Sequence, residues 1–340
     1  MKQIILEKDK SLKENDYIGF IIYATKIYTN SSNYLSFGHK KFFQPLPKEN
    51  FEKILKISDK FETRIKKYWI EISEIIYDKE PPIIGLEEKG GKTGYYLNHV
   101  KEAEIQRIDK ILLENKIEPL NTRILKLKNG KFVVLIGSIE KKIVKLNDEI
   151  TLYYGDFSNL LSKINENLKE ALKYAGNDAE KKILELYIDF FKTGIVETHK
   201  ESQRLWVKDK LPRVEFNIGW VETYIDPLEV RGFYEGWLGL FDKKESQKFI
   251  DLLDSAEELL KTTPWNLVAK NNDFEREVFI KPDFISTELV IYASEGSYEA
   301  LNLPNYLDIQ ETHGFKNVSM QNAYLKFELN KDEFIEPEAK

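Results

Sequence analysis

One stretch constrains the chain more than any other: residues 214–227, Val-Glu-Phe-Asn-Ile-Gly-Trp-Val-Glu-Thr-Tyr-Ile-Asp-Pro, continuing through Arg231-Gly232-Phe233-Tyr234-Glu235-Gly236-Trp237. Its β-branched and aromatic residues favour an extended strand, in which side chains alternate faces. Glu222 and Tyr224 would then share one face, with Val221 and Thr223 on the other. Asp226-Pro227 reads as the turn that ends the strand, because the residue before proline is driven out of the helical region and aspartate can bond its own backbone. Taken singly, Glu222 reads as a solvated outer-face acid and Tyr224 as a half-buried strand aromatic. Density argues for more. Glu215, Glu222, Asp226, Arg231 and Glu235 sit among Phe216, Trp220, Tyr224, Phe233, Tyr234 and Trp237. Charges among large aromatics are costly unless water, a partner or a ligand satisfies them.

The rest of the chain supplies helices and strands without a regular βαβ alternation. Residues 17–24 form an apolar run that periodicity leaves open between strand and helix. Phe51, Ile54, Leu55, Phe61, Ile65, Tyr68, Trp69, Ile72, Ile75 and Ile76 recur at near-helical spacing before Pro81-Pro82, predicting a long amphipathic helical region with an aromatic core stripe. Residues 102–116 predict a second helix. Residues 124–127 and 132–136 flank Lys128-Asn129-Gly130-Lys131, a strong hairpin signal, and residues 150–154 add a strand. Asp156-Phe157-Ser158 can cap a helix that Gly176-Asn177-Asp178 breaks, Ile183 to Phe191 make another ending at Thr193-Gly194, and a further helix is expected over 243–260, then a strand at 288–293 and an extended segment at 300–306. Gly90-Gly91-Lys92-Thr93 tempts a phosphate-loop reading, but Leu86 stands where that motif needs glycine, so nucleotide binding is set aside. The class is α+β with an antiparallel or mixed β-core.

Lys and Arg number 51 against 57 Asp and Glu, a net charge of −6 with both signs interspersed, which excludes a nucleic-acid surface. No apolar run approaches a membrane span, and the start is too short and charged for a signal peptide, so a cytoplasmic protein is expected. With no cysteine, a transition metal would need His, Asp or Glu. His39, His99, His199 and His313 are scattered, and His199 reads as structural.

The pattern V-E-x-x-x-G-x-x-E-x-Y-x-D-P-x-x-x-R-G-x-x-E-G, preceded by Thr198-His199-Lys200, resembles the dipeptidyl peptidase III family of zinc exopeptidases. So do Asn33-Tyr34-Leu35-Ser36-Phe37-Gly38, Asn302-Leu303-Pro304-Asn305-Tyr306 and Gly314-Phe315-Lys316-Asn317-Val318-Ser319, in the same order along the chain. Ile225 and Leu228-Glu229-Val230 depart from the family's pattern within the turn.

The resemblance implies a mixed lobe with a barrel-like β-core surrounded by helices, spanning 1–242 and 281–326. A helical excursion over 243–280 would reach toward a second lobe mostly absent from the chain, and 327–340 would form an acidic tail. It implies that Glu222, Glu235, Asn302 and Asn305 hold the terminal ammonium of a peptide, that Tyr224 donates to the oxyanion, and that Ser36 and Phe37 line the substrate cleft. The family's cofactor is zinc, but its H-E-x-x-G-H motif and glutamate-bearing second helix do not occur in these 340 residues, so no metal is expected on this chain alone. The expected function is the substrate-binding part of a zinc dipeptidyl peptidase, inactive by itself and acting on peptides with free N-termini beside a separate zinc-bearing lobe. The alternatives are a catalytically inactive peptide-binding homologue and a nonfunctional truncation.

Overall fold

The computed structural model describes residues 7–210, 212–265, 282–294 and 298–323. They divide into two compact units. The first draws on Met1–Trp206, Ile218–Gly236 and Ala293–Ser297, and the second on Val207–Asn217, Trp237–Tyr292 and Tyr298–Lys340.

In the first unit the ambiguous run at 17–24 lies within helix α1, Glu14–Asn30. The long helical region that follows is broken: α2 spans Lys48–Lys56, a π-helical turn spans Phe61–Ile65, and α3 spans Lys66–Tyr77. The break has a packing reason. In one straight helix Phe51 and Trp69 would stand about 27 Å apart along the axis. Folding back at 57–60 stacks their rings with centroids 5.0 Å apart, and they join Tyr23 and Phe42 in one buried cluster. Of the predicted stripe, Phe51, Ile54, Phe61 and Trp69 are core, whereas Tyr68, Ile72 and Ile75 are exposed.

Five strands follow: β1 (Tyr96–Leu97), β2 (Thr122–Lys126), β3 (Phe132–Gly137), β4 (Lys142–Lys145) and β5 (Ile150–Asp156). Their spatial order is β1-β2-β3-β5-β4. The pairs β2/β3 and β4/β5 are antiparallel, while β1/β2 and β3/β5 are parallel. The sheet is mixed and curls into a half-barrel. Helix α4 (Glu102–Glu114) lies against it, placing Ile105, Ile108 and Leu112 in one core with Ile124, Val134 and Ile150. The β2–β3 turn carries Gly130 at φ +81°, a left-handed conformation that glycine adopts without a Cβ clash. Helices α5 (Ser158–Ala171), α6 (Asp178–Thr193) and α7 (Val196–Lys208) complete the unit.

A second sheet consists of β6 (Val214–Trp220), β7 (Tyr234–Phe241), β8 (Asp283–Ala293), β9 (Ala300–Leu303) and β10 (Lys316–Met320). Its order is β6-β7-β8-β10-β9, with β10 parallel to β8 and antiparallel to β9. Glu215 forms a buried ion pair with Lys316 at 3.1 Å, and the same ammonium donates to the Asp209 carbonyl at 2.8 Å. Helices α8 (Lys243–Asp254) and α9 (Ala256–Lys261) follow β7, and α10 (Leu307–His313) precedes β10. Leu252 of α8 and Leu259 of α9 are exposed. The rest of the expected excursion, 266–280, and the acidic tail lie outside the described residues. No described helix is long and apolar enough to cross a membrane.

Candidate functional site

Strand β6 ends at Trp220, earlier than its alternation suggests, so Glu222 lies just beyond the strand and Tyr224 begins a turn. Local pairing with the returning chain persists: Val221 N–H donates to the Phe233 carbonyl at 3.2 Å, and Phe233 N–H donates to that of Glu222 at 2.8 Å. These bonds hold Glu222 beside the segment that carries Glu235 on β7.

The turn itself is built around Asp226. Its carboxylate accepts the backbone N–H groups of Val230 (3.0 Å) and Arg231 (2.8 Å), and the Tyr96 phenol donates to it at 2.8 Å. Arg231, fully buried, donates to both oxygens of Asp109 on α4 at 2.6 and 3.1 Å and to the Tyr96 oxygen at 3.2 Å. Burial and the neighbouring Asp226 raise the Tyr96 phenol far above its ordinary range, while Arg231 pulls the other way, so it stays a donor. The sequence pattern did not single out Asp109 or Tyr96. A signal existed: Asp109 directly follows Ile108 and lies four residues after Ile105 on the buried face of α4, where an acid implies a buried cation.

Within the aromatic stretch Glu215 pairs with Lys316, and Asp226 and Arg231 belong to this clamp. Two further acids of the stretch, Glu222 and Glu235, are 7% and 1% exposed. Tyr224 donates a hydrogen bond to Glu222, and that charge, followed by partial burial, raises the phenol above its ordinary range. Glu235 Oε2 accepts from Ser294 Oγ at 2.9 Å, whereas Oε1 is buried with no hydrogen-bond partner among the described residues. Burial, augmented by the Glu222 charge and opposed by Ser294, pushes the Glu235 carboxyl up to about 8. Phe37, half exposed, packs its ring 5.8 Å from that of Tyr224. The structure therefore gathers Phe37, Glu222, Tyr224 and Glu235. Ser36 is buried and turned inward, its N–H and hydroxyl both donating to Asn30 Oδ1 at 2.9 and 3.1 Å, which anchors the loop presenting Phe37.

In the second unit Asn302 is exposed on β9, the last strand of the sheet, and accepts from Asn317 Nδ2 at 2.5 Å. Asn305 is exposed two residues past the strand end. A cavity of about 970 Å³ in the first unit is lined by Trp220, Ile225, Phe233 and Tyr234, but not by Glu222, Tyr224 or Glu235. The acidic pair is therefore separate from that apolar space.

His199 is buried in α7, with Nε2 3.3 Å from the Ile218 carbonyl, and burial holds its imidazole down at about 4. It is structural, as the sequence indicates. No His-Glu dipeptide occurs in the chain, and among the described residues no group of three or more His, Cys, Asp or Glu could hold a metal. The described residues do not fit a zinc ion.

Two solved structures share the fold: dipeptidyl peptidase III from Caldithrix abyssi (TM-score 0.56, 21% identity, covering 94% of this chain and 55% of that one) and from Corallococcus sp. strain EGB (TM-score 0.52, 21% identity, covering 71% and 41%). The molecule thus shares the fold of part of these dipeptidyl peptidase III structures. Residues 68–340 match the model of peptidase family M49, and the chain belongs to that family. It is 38% identical to dipeptidyl peptidase 3 of Dictyostelium discoideum over 332 residues and 33% identical to that of Homo sapiens over 337. Those alignments cover 95% and 92% of this chain but 46% and 45% of the relatives, so the chain spans under half their length.

Proposed function

We propose that this chain is the substrate-binding part of a dipeptidyl peptidase III-like zinc metallopeptidase that removes dipeptides from free peptide N-termini. The observation that carries this reading is the Glu222–Glu235 pair. Glu235 is a fully buried carboxyl group with one oxygen that has no hydrogen bond among the described residues, close enough to the buried Glu222 carboxylate to feel its charge. Such an arrangement is costly in an empty protein and complementary to an ammonium group, which brings three donors and a positive charge. Glu222 and Glu235 would receive the peptide's terminal ammonium, and the amide oxygens of Asn302 and Asn305 would add acceptors. Tyr224, kept protonated at neutral pH, would donate to the oxyanion that develops on the scissile carbonyl. Ser36 would steady the loop from which Phe37 lines the cleft. The outer edge of β9, the last strand of its sheet among the described residues, would offer backbone groups to which an extended peptide could add as a further strand, giving affinity with little side-chain selectivity.

Zinc would lower the pKa of a bound water to about 7 in the complete site, and its ligands would come from a separate lobe. The helical segment 243–280 would belong with that second lobe, and the protein would work in the cytoplasm. A second reading is a homologue that binds peptides without cleaving them, which the same acidic pair Glu222 and Glu235 would serve.

Calorimetry with trialanine and N-acetyl-trialanine tests the common core of both. The free amine should bind, while the acetylated peptide and the Glu222→Gln variant with trialanine should bind at least tenfold more weakly. Equal binding of the two peptides would remove the basis for the reading. Hydrolysis of a dipeptidyl arylamide in the presence of zinc then separates enzyme from binding protein.

A further inference from the structure

Glu235 is placed where its protonation state must respond to whatever enters the site. It is 1% exposed, one oxygen is taken by Ser294, and the other has no hydrogen-bond partner among the described residues. The groups acting on it are the Glu222 carboxylate and the Ser294 hydroxyl, while Tyr224 senses Glu222, Glu235 and Glu229 in turn. Among the described residues no cation shifts Glu235. Ser294 is held from the other side, where Ser31 Oγ donates to its carbonyl at 3.3 Å.

We propose that Glu235 carries a proton in the peptide-free protein and surrenders it to solvent when a peptide's terminal ammonium arrives, and that Ser294 is the positioning residue that sets the pH of this exchange. The inference rests on the amine-binding reading given above. One O–H bond of the Glu235 carboxyl breaks, the proton passes to buffer, and the new carboxylate pairs with the incoming positive charge. An opposite charge within hydrogen-bond reach favours the ionised acid, whereas burial beside Glu222 favours the neutral one. The two states of the site therefore prefer opposite states of Glu235. Amine capture becomes pH-dependent, weakening as acidity rises below neutrality. Ser294 supports the ionised form through its hydrogen bond, so removing it shifts the exchange to higher pH.

The test is titration calorimetry of the full chain with trialanine at pH 7, in phosphate and in Tris, whose ionisation enthalpies differ widely. At that pH the peptide amine is already mostly charged. The observed enthalpy should differ between the buffers in the sense of release of most of one proton. In Glu235→Gln that difference should vanish while a weakened preference for the free amine over N-acetyl-trialanine persists through Glu222. An infrared difference spectrum should show loss of a protonated-carboxyl band on peptide addition to the wild type and not to Glu235→Gln. In Ser294→Ala the pH at which affinity falls by half should move upward. Buffer-independent enthalpy with intact preference for the free amine would overturn this proposal and leave the amine site standing. Proton release surviving in Glu235→Gln would overturn its assignment to Glu235, and an unmoved pH midpoint in Ser294→Ala would overturn the role of Ser294. Indifference to acetylation would instead remove the amine site and this inference together.

Discussion

Ser294 Oγ lies 2.9 Å from Glu235 Oε2, giving a buried carboxyl one neutral donor where an ionised carboxylate would need several. Glu235 is consequently a liability to the folded chain. Its folded value of about 8 exceeds its unfolded one, so the native state binds more protons between the two and stability falls as pH rises through that window. Glu235→Gln, which mimics the neutral acid, should match the wild type near pH 4.5 and exceed its stability by a few kcal/mol at pH 8 to 9. Urea denaturation at the two pH values decides this, and no gain at high pH would contradict the buried-acid account.

His199 titrates in the opposite sense. Burial lowers its folded value to about 4, beneath its unfolded value, so the unfolded chain binds the extra proton between the two. Its contribution to stability is complete above about pH 6.5 and is lost as pH falls toward 4, amounting to about 3 kcal/mol. The His199 ring resonances in an NMR titration should stay those of neutral imidazole down to about pH 4. A midpoint near 6.5 would show that the ring is hydrated.

Gly219 makes room for that ring. At φ +154°, a Cβ added there would stand 2.9 Å from His199 Nε2, too close for van der Waals contact. Gly219→Ala should cost about 1–3 kcal/mol, read as a lower urea midpoint at pH 7 with the slope unchanged. An unaltered midpoint would mean that α7 and the end of β6 can part freely.

The Arg231–Asp109 pair should be far more expensive to break than to replace. Asp109→Ala leaves a guanidinium buried without its counter-charge and should cost about 3–5 kcal/mol, whereas the double variant Asp109→Leu/Arg231→Met should recover much of the loss. Tyr96→Phe should cost about 1–3 kcal/mol, since both Asp226 and Arg231 lose a partner. Thermal melts of the three variants would show whether the penalties fall in that order.

Features governed by neighbours along the chain are legible in the residues themselves. The hairpin at Asn129-Gly130, the helix expected over 102–116 and found over Glu102–Glu114, and the Asp226-Pro227 turn each follow from side-chain periodicity or local backbone preference. Features governed by distant partners are not. The break at 57–60 exists because Phe51 and Trp69 stack, and nothing between them announces it. Strand β4 has every residue exposed, so it lacks the alternation that marks a half-buried strand. At the site, the family resemblance points to Glu222, Tyr224 and Glu235, but spacing cannot foresee that Tyr224 leaves the strand and still reaches Glu222. Ser294 carries no signal, being one hydroxyl at the end of a strand.

The clamp behind the site also bears on the order in which the molecule assembles. Tyr96 meets Asp226 across 130 residues, and Arg231 meets Asp109 across 122. When the half-barrel strands leave the ribosome, Tyr96 and Asp109 have no partners, and about a hundred residues must follow before the turn that completes them is synthesised. Closing loops of that length is entropically uphill until the native contacts form. The acidic pair should therefore be among the last parts of the first unit to take shape, with Asp109 an unmatched charge on the nascent chain until Arg231 arrives.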